Sequence, residues 1–520
     1  MNYKENRKEK TVAFITLGCK VNQYETNAMA QKLIKKGYKI VEHNQKADIY
    51  IINTCTVTNM SDRKSRQMIR RAKETNPQAK IMAVGCYVQV ARKEIENIEE
   101  IDLVLGNEEK VDIAKYCDEI LEKQENEKEQ AKIAERVEQT KTVEQAEVEE
   151  HAKKLERVKP TDLKDVMHTK EFAEFGEITY TEKTRAVIKV QDGCDRFCSY
   201  CIIPYARGRV RSRKPENVIS EITEIAKKGI KEVVITGIHI ASYGKDFKEE
   251  DFKEKDCQEK DCQEKDSKEK DSKEKNSKEK YELIDLLEEI NKIEGVQRIR
   301  LGSIEPLLIT EEFVQRLSKL EKICEHFHLS LQSGCDETLK RMNRRYTTEQ
   351  FKEITERLRK TYPNVNLTTD IIVGFPGETE AEFEKTYQFL KEIKFYKMHI
   401  FKYSPRKGTK AAEMKEQVPP EIKEERSKKL IELSDKNEKE YNQKYVGKEV
   451  EVLWEEEKNG VYKGHTKNYV LVELMEQELG EKMEHIVHVE NTLETVRIEE
   501  AEEHHIIAKK TNCNKNVIIV

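Results

Sequence analysis

The sequence contains no apolar run that approaches the roughly 20 residues needed to span a bilayer. Its first ten residues are mostly charged and lack the apolar core of a signal peptide. Hydrophobic residues make up 37% of the 520 residues and charged residues 38%, so large stretches must be solvated. We therefore expect a cytoplasmic protein of two to four domains, with no membrane segment.

The chain also lacks an excess of basic residues, because its formal net charge is -5. A protein without an overall positive field can bind nucleic acid only through local basic patches. Twelve cysteines would suit a disulfide framework only in a small secreted protein. In a reducing compartment, clustered cysteines more often bind metal or take part in catalysis.

Three cysteines, Cys194, Cys198 and Cys201, follow one another in a C-x3-C-x2-C pattern. Three thiolates this close can hold three irons of a cubic four-iron cluster and leave the fourth iron open for a small molecule. The alternative is a zinc site, which needs a fourth ligand, and the sequence has no second C-x-x-C pair. The spacing, with Tyr200 before the last cysteine, resembles the signature of radical S-adenosylmethionine (SAM) enzymes. That resemblance implies that SAM binds the open iron and is cleaved to a 5′-deoxyadenosyl radical.

Residues 10–122 alternate short apolar runs with helical patterns, which predicts a parallel α/β domain. The predicted strands are residues 12–17, 49–52, 80–84 and 101–105. Cys19, Cys55 and Cys86 each follow the carboxyl end of a different strand, and these ends share one edge of a parallel sheet. One such cysteine would be read as a small buried residue. Three at equivalent positions favour a second three-thiolate site.

Residues 178–413 contain six candidate strands separated by helical patterns, which suggests a partial (βα)6 barrel. The strands are residues 186–190, 233–236, 298–301, 328–331, 368–373 and 398–403. The three-cysteine loop follows the first strand. Glycine turns at Gly237 and Gly374 follow the second and fifth, where glycine lets backbone approach a ligand. Both are candidates for the SAM pocket, with an ordinary turn as the alternative.

Two charged segments are predicted to lack chemistry. Residues 123–177 are rich in Glu, Lys and Gln and indicate a solvated helical or partly disordered linker. Residues 246–280 repeat a charged five-residue unit that cannot bury a core, which predicts a disordered insertion. No ligand role is assigned to the remaining cysteines that can be placed, namely Cys117, Cys257, Cys262, Cys324 and Cys335.

A basic segment follows the cysteine loop and contains Arg207, Arg209, Arg211 and Arg213. The functional interpretation is phosphate contact with RNA, and the alternative is a solvated surface segment. We predict RNA contact because the segment lies beside the candidate active site.

Residues 443–507 show period-two patterns and tight turns, which predict a small β-barrel. Their position and pattern resemble the TRAM domain, an RNA-binding barrel. Tyr445 to Glu503 hold six basic and sixteen acidic residues, an excess that argues against broad RNA contact. RNA binding would therefore depend on a few lysines such as Lys463 and Lys467.

The order of these parts resembles the radical SAM methylthiotransferase family, over nearly the whole chain apart from the charged segments. Residues 17–22, 53–58 and 84–86 match its N-terminal motifs. Residues 55–58, 191–194, 203–208 and 237–244 resemble the branch that modifies N6-threonylcarbamoyladenosine in tRNA.

The resemblance implies two 4Fe-4S clusters and SAM as cofactors. Cys194, Cys198 and Cys201 would hold the cluster that cleaves SAM. Cys19, Cys55 and Cys86 would hold an auxiliary cluster that carries or supplies sulfur. The implied partners are tRNA, an electron donor such as a flavodoxin or ferredoxin, and a source of sulfur.

Other substrates and one other class of protein remain open from the sequence. Two further branches of the family act on isopentenyladenosine in tRNA and on an aspartate of a ribosomal protein. A non-catalytic RNA-binding protein with structural iron is the alternative outside enzymes. Only an enzyme would release 5′-deoxyadenosine from SAM under a reductant.

Overall fold

The computed structural model describes residues 9–137, 163–176, 178–179, 184–248, 280–475 and 490–509. Within these residues, no helix is both long and apolar enough to cross a membrane. The described chain forms an N-terminal parallel sheet, two further sheets that together curve into a partial barrel, and a closed C-terminal barrel.

The N-terminal sheet has five parallel strands in the order β2-β1-β3-β4-β5, which confirms the predicted α/β architecture. The strands are β1 Thr11–Thr16, β2 Lys39–Val41, β3 Ile49–Thr54, β4 Lys80–Gly85 and β5 Leu103–Leu105. The helices are α1 Lys20–Lys35, α2 Asn59–Thr75, α3 Cys86–Val90, α4 Arg92–Glu96 and α5 Ile113–Val137. Every residue of β3 is buried, as expected for a central parallel strand covered on both faces.

Helices cover both faces of this sheet. One core contains side chains of α1 and α5, including Tyr24 and Cys117. The other contains side chains of α2, α3 and α4, including Ile69. Cys117 is fully buried in the first core, in keeping with its structural interpretation.

The central strands form two sheets, ordered β7-β6-β8-β9 and β10-β11-β12. The strands are β6 Arg185–Asp192, β7 Arg211–Ser212, β8 Glu232–Gly237, β9 Arg298–Leu301, β10 His326–Gln332, β11 Asn366–Val373 and β12 Lys397–Lys402. Ile304 forms a parallel bridge to Leu329 and so connects the two sheets. All six predicted barrel strands are present, and the short antiparallel β7 is additional.

Nine helices accompany these strands in the described residues, and most of them contribute to the largest hydrophobic core there. They are α6 Ile203–Arg207, α7 Pro215–Lys227, α8 Leu283–Lys292, α9 Glu311–Leu317, α10 Asp336–Arg341, α11 Thr348–Thr361, α12 Glu380–Ile393, α13 Lys410–Glu413 and α14 Pro420–Asn442. Capping boxes at Thr347 and Thr379 define where α11 and α12 begin.

Helix α1 joins the N-terminal sheet to the partial barrel. Its residue Glu25 accepts a hydrogen bond from Lys189 of β6 at 2.8 Å. Its neighbour Tyr24 donates to Glu221 of α7 at 3.3 Å. Since both side chains are buried, the two units share a desolvated interface.

The C-terminal strands close into a barrel in the order β13-β14-β15-β17-β16, which confirms the predicted small β-barrel. They are β13 Glu449–Lys458, β14 Val461–Thr466, β15 Leu471–Met475, β16 Leu493–Ala501 and β17 Ile506–Lys509. Trp454, the single tryptophan of the sequence, lies in its core with 1% of its surface exposed. A further predicted strand, residues 486–489, lies outside the described residues.

The structure describes different parts of the two charged segments that were predicted to lack chemistry. Most of the predicted repeat, residues 249–279 with Cys257 and Cys262, lies outside the described residues, but the chain on either side of that stretch meets again. The ring of Tyr281 lies 6.5 Å from that of Tyr243, and Gly244 packs against the Tyr281 carbonyl.

For the predicted linker, α5 continues to Val137, and residues 138–162 lie outside the described residues. Residues 163–176 are not helical, and Val166 and Phe175 are buried although several of their neighbours are exposed. This stretch therefore packs in part against the rest of the chain, and the linker at residues 123–177 stays a prediction.

Candidate active site

The structure brings the three N-terminal cysteines to one edge of the five-stranded sheet. Cys19 precedes α1, Cys55 follows β3 and Cys86 follows β4. Burial raises the pKa of the Cys55 thiol to about 11, and its neighbours Cys86 and Cys19 add to this effect. A Cβ atom on Gly18 would lie 2.7 Å from Cys55 Sγ, so only glycine fits between the first two cysteines.

The second trio lies in the loop between β6 and α6. The Cys194 amide donates to the Gly208 carbonyl at 3.0 Å, and the Cys201 amide donates to the Cys198 carbonyl at 2.9 Å. Burial raises the pKa of Cys194 to about 11 and that of Cys201 to about 12. A bound metal cation would offset this effect of burial and hold the sulfurs as thiolates.

The spacing of the sulfur atoms bears on which metal group would fit. Among the described residues, neither cysteine trio has all three Sγ atoms within 4.8 Å of one another. One zinc ion would draw three thiolates to within about 4 Å of each other, given Zn–S bonds near 2.3 Å. Thiolates that bind separate irons of a cubic cluster lie further apart. In both trios the sulfur spacing is therefore wider than a single zinc ion would set.

The second trio lines a cavity of about 340 Å³, which is within the range of small-molecule sites. Polar and aromatic side chains from several strand ends complete its wall, including Tyr200, His239, Glu305, Gln332, Arg344, Asp370 and Tyr403. Val57 and Thr58 also line it, and they follow Cys55 of the first trio by two and three positions. The loop after Cys55 therefore borders the cavity of the second trio, although Cys19, Cys55 and Cys86 do not themselves line it.

A buried arginine, Arg344, contacts the second trio. Arg344 donates through Nη1 to Cys198 Sγ at 3.4 Å and through Nη2 to Glu305 at 2.9 Å. Burial alone would raise the pKa of Glu305, but His239 and Arg344 outweigh burial and lower it. Arg344 was not predicted, because it lies far along the chain from the cysteines and no local motif marks it.

The two glycines predicted for the SAM pocket lie beside the cavity without lining it. Gly237 ends β8, and its neighbours Ile238 and His239 line the cavity. Gly374 has a φ of +68°, and a Cβ there would lie 2.3 Å from Lys423 of α14. The positive φ and this close packing explain why glycine occupies position 374.

Three of the four arginines predicted to contact RNA lie in the interior. Arg207, Arg211 and Arg213 are each at most 1% exposed, whereas the side chain of Arg209 is 54% exposed. Arg211 donates to Glu108 at 2.9 Å. A buried guanidinium that is already paired cannot reach a phosphate on the surface, so the prediction is corrected for these three residues.

Arg207 instead connects the two cysteine sites. Its Nε donates to Cys86 Sγ at 3.1 Å, while its Nη atoms donate to Glu25 and to Asn22. The carbonyl of Ala206 accepts from Asn107 Nδ2 at 2.7 Å, beside Cys86. The turn that follows Cys201 thus holds the edge of the N-terminal sheet against the second cysteine loop.

Glu25 gathers three buried cations around this connection. Burial alone would raise the pKa of Glu25, but Arg207, Lys110 and Lys189 outweigh burial and hold it well below its usual range. Lys110 donates to its carboxylate at 2.6 Å and Lys189 at 2.8 Å. A carboxylate shared in this way stays ionised in the interior.

The two lysines predicted to contact RNA from the C-terminal barrel have protein partners. Lys463 forms an ion pair with Glu473 at 2.8 Å, and Lys467 donates to the Glu321 carbonyl at 2.6 Å. Both are only partly exposed. Their predicted contact with RNA stays a prediction, and it requires these surface contacts to exchange.

Residues 188–390 match the family model described as "Radical SAM superfamily", and residues 11–106 match "Uncharacterized protein family UPF0004". The chain is 39% identical to the threonylcarbamoyladenosine tRNA methylthiotransferase MtaB of Bacillus subtilis, over 89% of this chain and 90% of that protein. It is 38% identical to the protein of the same name from Aquifex aeolicus, over 88% and 95%.

A relative with a different printed substrate is also similar. The tRNA-2-methylthio-N(6)-dimethylallyladenosine synthase of Moorella thermoacetica is 34% identical, over 86% of this chain and 87% of that protein. Membership of the radical SAM superfamily implies a 4Fe-4S cluster and SAM. The chain therefore belongs to the radical SAM methylthiotransferase family and is a transferase.

Proposed function

We propose that this enzyme transfers a methylthio group to carbon 2 of N6-threonylcarbamoyladenosine, beside the anticodon of tRNA in the cytoplasm. The branch is supported by relatives named for this substrate, which are 39% and 38% identical, against 34% for the dimethylallyladenosine synthase. We further propose that the reaction uses two 4Fe-4S clusters and two molecules of SAM, one cleaved and one as methyl donor.

Each cysteine trio is assigned to one cluster. Cys194, Cys198 and Cys201 hold the SAM-binding cluster, and the auxiliary cluster is held by Cys19, Cys55 and Cys86. When bound, the first cluster supplies reductive cleavage of SAM, which provides a radical for a C–H bond that no general base could ionise. A flavodoxin or ferredoxin is the proposed electron donor, and a separate source supplies sulfur.

The observation that carries this proposal is the position of the loop after Cys55. Its residues Val57 and Thr58 line the same cavity as Cys194, Cys198 and Cys201. A group transferred from one site to a substrate activated at the other needs such a common space, because reacting atoms must approach to about 3 Å.

The chain's own side chains fix the geometry around that space. Arg344 anchors the Cys198 sulfur and is itself held by Glu305 at 2.9 Å. Tyr200 packs edge-on against Phe375, with ring centroids 6.4 Å apart, and forms part of the cavity wall. Gly237 and Gly374 remain the proposed backbone positions of the SAM pocket.

The division of the chain into parts also stands as a proposal. It places the N-terminal domain at residues 10–122, a linker at 123–177, the radical SAM core at 178–413 with its insertion at 246–280, and the TRAM-like barrel at 443–507.

Mass spectrometry of tRNA nucleosides, with and without this gene, tests the substrate. We expect 2-methylthio-N6-threonylcarbamoyladenosine to disappear and its unmethylthiolated precursor to accumulate. If that nucleoside is unchanged and the isopentenyl derivative loses its methylthio group, the second branch replaces the proposal. If neither changes, the aspartate of the ribosomal protein is the next substrate to assay.

Cys55→Ala tests the auxiliary site in the purified enzyme. We expect SAM cleavage to persist while methylthio product disappears, because the two trios have separate roles. Cys117→Ala is the matched control, since Cys117 is also buried but lies on α5, in the hydrophobic core. Normal product from Cys55→Ala would exclude the auxiliary-cluster assignment.

A further inference from the structure

Helix α2 carries a basic stripe on its exposed face. Its buried residues recur every three or four positions, and the residues between them include Arg63, Lys64, Arg70 and Arg71, all exposed. In the described part of the chain, Arg63, Lys64 and Arg71 form no ion pair. Arg70 has only a surface pair with Glu100, at 3.7 Å, and such pairs contribute little.

This stripe begins at the mouth of the cavity. Asn59, the first residue of α2, donates from its amide to Ser404 Oγ at 3.2 Å, and Ser404 lines the cavity. Met60 follows at the rim and is 68% exposed. From Met60 to Arg71 the helix rises about 16 Å, so the basic charges extend outward from the opening.

Exposed apolar side chains surround the start of the stripe. Val57 is 52% exposed and Phe401 is 45% exposed, and both line the cavity. Exposed apolar groups beside polar ones mark interaction sites. Flat or apolar surfaces next to basic charges are typical of sites where nucleobases stack and phosphates are neutralised.

Three of the basic groups predicted from the sequence to contact RNA already have carboxylate partners. Arg207 and Arg211 are buried in ion pairs, and Lys463 is paired with Glu473. In the stripe on α2, by contrast, Arg70 has only its surface pair with Glu100, and Arg63, Lys64 and Arg71 form no ion pair among the described residues. Positive charge of this kind is what a phosphate backbone requires.

We propose that the exposed face of α2, with Val57, Met60 and Phe401, is the docking surface for RNA. The basic stripe contacts backbone phosphates of the anticodon stem–loop, and the apolar rim contacts bases that flank the adenosine entering the cavity. This proposal rests on the proposed function, because it takes tRNA as the substrate.

The salt dependence of binding tests the stripe. The probe is a synthetic anticodon stem–loop with the unmethylthiolated adenosine, bound by the full-length holoenzyme at several KCl concentrations. Each phosphate contact contributes about 0.7 to the slope of log Kd against log salt. The triple variant Arg63→Gln, Lys64→Gln, Arg71→Gln should therefore lower the slope by about 2.

The matched control removes three exposed lysines from the outside of the partial barrel, Lys292, Lys319 and Lys360, each replaced by Gln. We expect this variant to keep the wild-type slope and affinity. Phe401→Ala tests the rim separately, and we expect about tenfold weaker binding with an unchanged slope, because stacking does not release counterions.

The outcomes separate this proposal from the proposed function. If the wild-type enzyme fails to bind the stem–loop, the tRNA assignment itself is lost. If it binds and the α2 variant keeps the wild-type slope at full iron content, the docking surface is overturned while the substrate stands. An equal fall in slope for the lysine control would also overturn the docking surface, because the effect would then come from the overall charge of the protein and not from α2.

Discussion

Replacing Arg207 and replacing Arg209 should have different effects, although both lie in the basic segment after the cysteine loop. Arg207→Gln removes a fully buried guanidinium that pairs with Glu25 and donates to Cys86 Sγ at 3.1 Å. Arg209→Gln removes only contacts at the surface, where 54% of that side chain is exposed. If both were phosphate contacts, the two changes would act alike and would leave the fold intact.

The magnitude follows from what remains around Glu25. Removing one partner of a buried ion pair costs about 3–5 kcal/mol, because the other charge is left uncompensated. Here Lys110 and Lys189 still contact Glu25 at 2.6 Å and 2.8 Å, so we expect the lower end, about 3 kcal/mol. A loss of this size makes opening of the interface between α1 and the partial barrel about a hundredfold more frequent. Arg209→Gln should change stability by less than about 0.5 kcal/mol.

Hydrogen exchange of the full-length enzyme measures this opening locally. Protection of amides in residues 203–213 and in the first half of α1 should fall by about two orders of magnitude in Arg207→Gln. The same amides should be unchanged in Arg209→Gln. Arg207→Lys keeps the positive charge but cannot reproduce the guanidinium's separate hydrogen bonds to Glu25, Asn22 and Cys86. We expect an intermediate loss of amide protection. We also expect less methylthio product for each molecule of SAM that is cleaved.

One pattern of results would refute this reasoning. If Arg207→Gln kept full protection and normal product while losing affinity for RNA, the ion pair with Glu25 would have no structural role. The original prediction of a phosphate contact would then apply to Arg207 after all.

Two further changes give sharp outcomes. Gly18→Ala should lower iron content by about four per chain, because the new Cβ would lie 2.7 Å from Cys55 Sγ; Gly37→Ala, at a similar φ of +88° with nothing within 4 Å, should keep it. Burial, with neighbouring cations, holds the pKa of His326 well below 6.5, so stability falls as pH drops below 6.5, by up to about 1.4 kcal/mol per unit. His326→Gln should flatten the acid transition followed by Trp454 fluorescence, and an equally steep transition would show that His326 is not responsible.

The strands were predictable because a strand that is buried on both faces appears in the sequence as a continuous apolar run. Ile49 to Ile52 and the six barrel strands are apolar runs bounded by turns, and each appears within one or two residues of its expected position. Strand β2, at Lys39–Val41, was missed because it lies at an edge and is only three residues long. The convergence of the cysteines was predictable for the same reason, since parallel strands share one carboxyl edge.

The roles of charged side chains were not predictable, because they depend on partners distant in sequence. Arg207 looked like a surface cation, yet Glu25 lies 182 positions away and meets it in the interior. The basic residues of α2 were not predicted as a site, because buried residues separate them in the sequence between Arg63 and Arg71. They form a continuous stripe only when the helix places them on one face.

The meeting of the chain at Gly244 and Tyr281 has a consequence for how this protein can be altered. Because Tyr281 packs against Tyr243 and Gly244 before α8 begins, the sheet is complete without the repeat between residues 249 and 279. A surface position where the chain leaves the fold and re-enters it tolerates insertions and deletions with little loss of stability in the core. Related chains could gain or lose the repeat without rebuilding their active sites, and a fluorescent label or affinity tag could be introduced there.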